Sequence, residues 1–231
     1  MVVRGLPATR AATMVSPEDS LAIAGETRRF VSRGGDKLAG ALRRFNVDVA
    51  DRAWLDAGAS TGGFTDCLLQ AGAASVIAVD VGYGQLDWRL RNDDRVTVLE
   101  RTNVRSLSSE DLPREPQAVV ADLSFISLTL VIPALTEVVA PGGDLLLMVK
   151  PQFEVGKEAI GKGGVVGDPG LWLHSVQRVI GAAESRGWGL VDATPSDLPG
   201  PAGNREFFVH LDREGPHNRG AAARAVADVG R

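Results

Sequence analysis

From Trp54 onward, short apolar runs alternate with stretches of helical period, the pattern left by βαβ units around a mostly parallel sheet. The apolar runs predict strands near residues 53–58, 75–81, 96–101, 118–123, 144–150, 189–195 and 205–212. Helical spacing predicts helices over 35–45, 63–72, 85–91, 127–139 and 168–186. The last of these opens on Asp168-Pro169, a capping carboxylate followed by the residue that suits a first helical turn. Only the turn-rich SDLPGPAGN separates the final two strands. That is too short for a crossover helix, so the two are expected to pair antiparallel at one edge of the sheet. The expected fold class is α/β, with a Rossmann-like, seven-stranded, mostly parallel sheet and an antiparallel final strand.

Length and composition narrow the picture without naming a function. A chain of 231 residues, 44% of them hydrophobic, can bury one sizeable core. Residues 1–27 are turn-rich and too short to fold alone, and residues 214–231, mostly Ala, Arg and Gly, are expected to form a disordered tail. The densest apolar stretch, Leu128 to Ala140, is broken by Thr129, Pro133, Thr136 and Glu137, which argues against a membrane span. MVVRGLPATR lacks the apolar core of a signal peptide, so a cytoplasmic location is expected. A single cysteine, Cys67, and three scattered histidines, His174, His210 and His217, offer neither a disulfide framework nor metal-ligand spacing, so no metal is expected. Nothing in the sequence signals an obligate protein partner.

The first strand runs into a loop as Trp54-Leu-Asp-Ala-Gly-Ala-Ser-Thr-Gly-Gly-Phe64. Gly58, Gly62 and Gly63 fall where the chain must turn sharply and let a ligand approach its backbone. The spacing is not that of the dinucleotide fingerprint, and Asp56 at the strand end would repel a pyrophosphate. A cationic ligand suits it better. S-adenosylmethionine, with its sulfonium and amino group, is the cofactor expected, with Asp56, Gly58, Ser60, Thr61, Gly62, Gly63 and Phe64 forming its loop. Asp80 closes the second strand one βαβ unit later in Val79-Asp80-Val81, where a carboxylate can accept both hydroxyls of an adenosine ribose. Thr102 and Asn103 close the third strand and are placed to meet the adenine edge. Asp122 and Leu123 complete the expected cofactor contacts at the end of the fourth.

Chemistry in an open α/β sheet takes place beyond the carboxyl ends of the strands, and four titratable residues stand out for it. Asp122 ends the fourth apolar run, Lys150 ends the fifth, Glu206 opens the last strand, and Lys37 lies on the first helix. An alcohol hydroxyl is far too weak an acid to ionise alone, and a buried lysine can supply the base. Lys150 is the expected base. Asp122 and Glu206 would orient and balance the two lysines, and Lys37 would hold the developing alkoxide or an adjoining phosphate. The formal net charge of −4 is not the footprint of a nucleic-acid binder. Locally the balance reverses: residues 1–44 carry eight Lys or Arg against four Asp or Glu, a possible RNA face. Phe125 and Phe153 read either as packing or as stacking surfaces for a base, and the glycine-rich GKEAIGKGGVVGD, with Lys157 and Lys162, as a mobile substrate loop.

The stretches VSRGGDKL, LDAGASTGGFTD, DVGYGQL, LRNDDRV, ERTNVR, ADLSFISL, VKPQFEVGK and GNREFFVHL, spread over residues 28–211, resemble the TlyA, or haemolysin-A-like, ribosomal RNA 2′-O-methyltransferases within the FtsJ-like class. The resemblance implies a Rossmann-like class I methyltransferase domain over 28–213 and transfer from S-adenosylmethionine to ribose, on cytidine, with ribosomal RNA or ribosomal subunits as partner. It also implies a lysine, aspartate, lysine, glutamate tetrad, which falls on Lys37, Asp122, Lys150 and Glu206. Relatives of this kind begin with an S4-like RNA-binding domain, of which residues 1–27 are expected to be a remnant and linker. Two alternatives stay open at this stage: a membrane-active haemolysin, against which the lack of a spanning segment argues, and a methyltransferase acting on something other than RNA.

Overall fold

Alternation within each apolar run decides which face of the sheet a side chain serves. Leu55, Ala57, Ile77, Val79, Val119 and Ala121 pack into one buried layer, while Trp54, Val76, Ala78, Ala118 and Val120 pack into the other. The computed structural model describes residues 2–4, 6–8, 13–22, 28–214, 217–218 and 220–229. Three two-residue strands, β1 (Val2–Val3), β2 (Leu6–Pro7) and β3 (Leu21–Ala22), form a small antiparallel sheet in the order β2-β1-β3. Helix α1 (Arg33–Phe45) starts at Ser32, whose hydroxyl accepts from the Gly34 N–H, and ends at Asn46 in a left-handed conformation.

The main sheet follows: β4 (Ala53–Ala57), α2 (Gly63–Gln70), β5 (Ser75–Val79), α3 (Trp88–Arg91), β6 (Val96–Leu99), β7 (Ala118–Ala121), α4 (Ile132–Val138), β8 (Asp144–Val149), α5 (Pro151–Glu154), α6 (Pro169–Glu184), β9 (Gly189–Pro195), β10 (Phe207–Asp212) and α7 (Ala221–Ala227). Its order is β6-β5-β4-β7-β8-β10-β9, with β4 to β8 mutually parallel and β10 antiparallel to both β8 and β9. All seven expected strands are present, and the final pair is antiparallel. The chain reverses its direction of travel across the sheet between β4 and β7, which is where an open α/β sheet leaves a crevice.

Three expectations need correction. The helix expected over 127–139 is interrupted: Leu128–Leu130 is a single 3₁₀ turn, and α4 begins anew with Pro133 in its first turn, where the missing N–H costs nothing. The helix expected over 85–91 keeps only Trp88–Arg91. The tail expected to be disordered carries α7, whose Ala221, Ala222 and Ala225 are buried in the core, while the Asn218 N–H donates to the Leu190 carbonyl. Among the described residues, no helix is long and apolar enough to cross a membrane.

Candidate active site

Two adjoining cavities open at the carboxyl ends of the strands, beside the β4–β7 switch point. The larger, about 500 Å³, lies over β5 and β6. Its polar side is Asp80, whose Oδ2 accepts from the Ser60 N–H at 2.8 Å and whose Oδ1 accepts from the Gly82 N–H at 2.6 Å. Two backbone donors thus fix the carboxylate at the mouth, and each oxygen keeps a second lone pair for a ligand hydroxyl. Val81 faces Val104, Leu123, Ile126 and Val131 across the cavity, an apolar slot suited to a flat heterocycle. Asn103 stands at the edge with Thr102; its Oδ1 already accepts from the Arg105 N–H, so what it offers a ligand is its amide NH₂.

The loop between β4 and α2 forms the floor. Gly58 sits at φ +87°, and a Cβ built there would stand 2.7 Å from the Asp122 carbonyl oxygen and 2.8 Å from Leu123 Cδ2. Only glycine lets the exits of β4 and β7 approach this closely. Polar pocket, apolar slot and glycine floor together fit the cationic nucleoside expected from the sequence.

The second cavity, about 390 Å³, is lined by all four of the expected catalytic residues. Lys37, reaching in from α1, donates from Nζ to Glu206 Oε2 at 2.5 Å. Lys150, which follows β8 and precedes α5, has its Nζ 2.5 Å from Asp122 Oδ1 and donates to Ser124 Oγ at 3.1 Å. The contact with Asp122 is an ion pair by distance and not an aligned hydrogen bond, since that oxygen is buried without an aligned donor. Lys37, Lys150 and Glu206 are each less than 10% exposed. Two lysines and two carboxylates are therefore paired within one cavity, where the short distances make their electrostatic interactions strong. Arg28 and Arg33 line the same cavity and tilt it towards positive charge. Gly58, Ser60, Asp122 and Ser124 line both cavities, so the wall between them consists of short side chains.

Of the expected cofactor residues, Gly58, Ser60 and Asp122 face both cavities. Thr61, Gly63 and Phe64 face the second, and Asp80, Val81, Thr102, Asn103 and Leu123 the first. Asp56 and Gly62 line neither. Asp56 is fully buried behind the loop, with Oδ2 accepting from the Thr65 hydroxyl at 2.7 Å and Oδ1 unpartnered. Burial pushes its carboxyl up to about 7, and the neighbouring charges of Asp122 and Asp80 add to this. Gly62 serves as the left-handed cap that starts α2.

Sequence reasoning passed over Ser124, Gln85, Asn204 and Glu154. Ser124 and Gln85 line the cavities. Asn204 is buried and pins the glycine-rich segment, accepting from the Val166 N–H at 2.9 Å and donating to the Gly164 carbonyl at 2.9 Å. The segment read as a substrate loop is therefore tethered two residues from Glu206. Ser124 lay in plain view in ADLSFIS, two positions after Asp122.

Comparison with known proteins identifies the family and the fold. A family model described as FtsJ-like methyltransferase matches residues 30–213. The chain is 51% identical, over 98% of its length and 84% of the relative's, to the 16S/23S rRNA (cytidine-2′-O)-methyltransferase TlyA of Mycobacterium tuberculosis. It is 33% identical, over 78% of its length and 70% of the relative's, to the 23S rRNA (cytidine-2′-O)-methyltransferase TlyA of Campylobacter jejuni. Among solved structures, a candidate hemolysin from Lactococcus lactis matches with a TM-score of 0.84 at 38% identity, covering 89% of this chain and 100% of that one. Solved S-adenosylmethionine-dependent methyltransferases at 12% and 16% identity share the fold, with TM-scores of 0.58 and 0.54.

Proposed function

Since the chain belongs to the FtsJ-like methyltransferase family, we propose that it methylates the ribose 2′-hydroxyl of a cytidine in ribosomal RNA, using S-adenosylmethionine. The observation that carries this reading is the pairing of two buried lysines with two carboxylates in one cavity, separated from a nucleoside-shaped cavity only by short side chains.

When bound, the cofactor supplies a methyl group made electrophilic by its sulfonium. Asp80 would accept the hydroxyls of the nucleoside ribose, the slot lined by Val81 and Leu123 would hold its base, and the Gly58–Phe64 loop would hold its amino-acid end. The acceptor ribose enters the second cavity. There Lys150, as the free amine, takes the 2′-hydroxyl proton, and Asp122 and Ser124 stabilise the ammonium that forms. The 2′-oxygen so activated would be the acceptor for the methyl group that the sulfonium, when bound, would supply, with the electron pair of the broken bond remaining on sulfur. Lys37, held by Glu206, offers its remaining protons to the developing oxyanion. Arg28 and Arg33 bind phosphates beside the target, and Phe125, 92% exposed and 5.3 Å between centroids from Phe153, offers a face to its base. We read residues 1–27, with their small sheet, as the end of an S4-like RNA-binding unit. Ribosomal subunits would then be the partner and the cytoplasm the place of action.

The test is methyl transfer from labelled S-adenosylmethionine to separated unmodified ribosomal subunits, to naked RNA and to no RNA, with wild type and Lys150→Ala. Label recovered from RNA in an alkali-resistant dinucleotide, and lost in the variant, is the expected result. Label on protein or small molecules, or undiminished transfer by Lys150→Ala, would refute the assignment.

A further inference from the structure

Lys150 and Asp122 stand on two different segments, the exits of β8 and β7, and the pairing of these two strands ends at Ala121 and Leu147. A buried carboxylate joins them further out. Glu154, at the end of α5, is 2% exposed. Its Oε2 accepts from the Ser127 hydroxyl at 2.5 Å and its Oε1 from the Leu128 N–H at 2.8 Å. Its own backbone carbonyl accepts from the Arg178 guanidinium on α6.

Three contacts therefore join the two segments in register. Lys150 meets Asp122 and Ser124; Phe153 meets Phe125; Glu154 meets Ser127 and Leu128. They close a loop made of chain and contacts, with the reactive lysine at one end and Glu154 at the other. Burying a carboxylate without a cation on its oxygens is costly, and an apolar side chain would fill the space without that cost. Burial accordingly raises the Glu154 carboxyl above the ordinary glutamate range. What the carboxylate supplies and an apolar group does not is two acceptors at fixed separation, which set where the Asp122–Leu128 segment stops relative to α5.

We propose that Glu154 is a positioning residue for methyl transfer. By clamping Ser127 and Leu128 it holds Lys150 in register with Asp122 and Ser124, and so aligns base and acceptor with the donor cavity. The proposal rests on the reading of Lys150 as the base. It predicts that Glu154→Gln, which keeps the size but offers one acceptor for two donors, and Ser127→Ala, which removes one donor, act on the rate and not on capture of ligands.

The experiment pairs a functional readout, transfer together with cofactor binding, with a chemical one, both on the full chain. Steady-state transfer to unmodified ribosomal subunits should show kcat reduced about tenfold to hundredfold in both variants, as expected for a sub-ångström to ångström displacement at a reacting centre. The dissociation constant for S-adenosylmethionine, by calorimetry, should stay within about threefold, and the Glu154→Gln/Ser127→Ala pair should lose no more than the worse single variant. The second readout needs no RNA: the rate at which an amine-directed acylating reagent labels Lys150, followed by peptide mass spectrometry, should rise severalfold once the lysine leaves its partners. Unchanged kcat together with unchanged labelling would overturn the proposal. So would cofactor affinity that falls in step with kcat, which is the mark of a merely structural role. If wild type fails to methylate RNA while Lys150 labelling responds to both variants, the assigned reaction fails and the clamp stands.

Discussion

Gly58→Ala tests the link between the cofactor floor and the catalytic pair. At φ +87° an added Cβ meets the strain that L-residues suffer in the left-handed region, about 1–2 kcal/mol. The same Cβ stands 2.7 Å from the Asp122 carbonyl oxygen, whereas ordinary contact begins at 3.4 Å, so about 0.7 Å must be found. The obstructing atom is backbone, and no side-chain rotation can provide it. Overpacking of this kind adds about 1–3 kcal/mol, which brings the total to about 2–5 kcal/mol, within what a domain of ordinary stability survives. The displacement falls on the residue whose carboxylate lies 2.5 Å from Lys150 Nζ. A shift of this size at a reacting centre lowers kcat by about 10²-fold. Gly187→Ala is the control: φ is +80° there too, but among the described residues nothing lies within 4 Å of the added atom. Urea denaturation should show Gly187→Ala losing only the conformational part, with full activity, and Gly58→Ala losing more stability and nearly all transfer. Equal losses of stability and full activity in both variants would refute the steric argument.

Further predictions follow from the buried charges and the exposed ring. Lys37→Met leaves Glu206 without its partner in a site where both side chains are under 10% exposed, and should cost about 3–5 kcal/mol in denaturation; Lys37→Met/Glu206→Leu should recover most of that stability but not activity. Because Asp56 binds its proton more tightly folded than unfolded, stability should fall as pH rises from about 4 to about 7, by at most about 4 kcal/mol, and Asp56→Asn should abolish that slope in melts across the range. Asp144 is the opposite case. Burial would raise its carboxyl, but hydrogen bonds from His210 and Arg52 prevail and lower it, so it should stabilise the fold above pH about 4 and lose that contribution on acidification, a loss missing from Asp144→Asn. Phe125 holds φ +65° and is almost wholly exposed, so Phe125→Ala should leave stability unchanged or slightly raised while weakening RNA binding by about 1–3 kcal/mol in filter-binding titrations.

The sheet was legible because parallel strands covered on both faces become uninterrupted apolar runs, and the tetrad was legible because a charge at the end of such a run has few other reasons to be there. Asp56 shows how that logic overreaches. It alternates with Leu55 and Ala57, so it shares a face with Trp54 and points into the layer under α2, where Thr65 takes it. The strand period already contained that information. The break before α4 was likewise written in Pro133. Helix α7 was harder to foresee: three alanine methyl groups bury little area each, and their fit against β9 depends on shape that no hydropathy pattern records. Glu154 and Ser127 are 27 residues apart, and only the register of β7 against β8 brings them together.

The thin wall shared by the two cavities allows binding and turnover to be uncoupled. Ser60 and Ser124 border both compartments with side chains of a single hydroxymethyl group. Ser124→Val would obstruct the short path between donor and acceptor and remove the hydroxyl that holds Lys150, while leaving Asp80, Lys37, Arg28 and Arg33 in place to grip the two partners. Such a variant would hold both partners in a stalled complex and could be used as bait to retrieve, from a pool of cellular transcripts, the site this enzyme modifies.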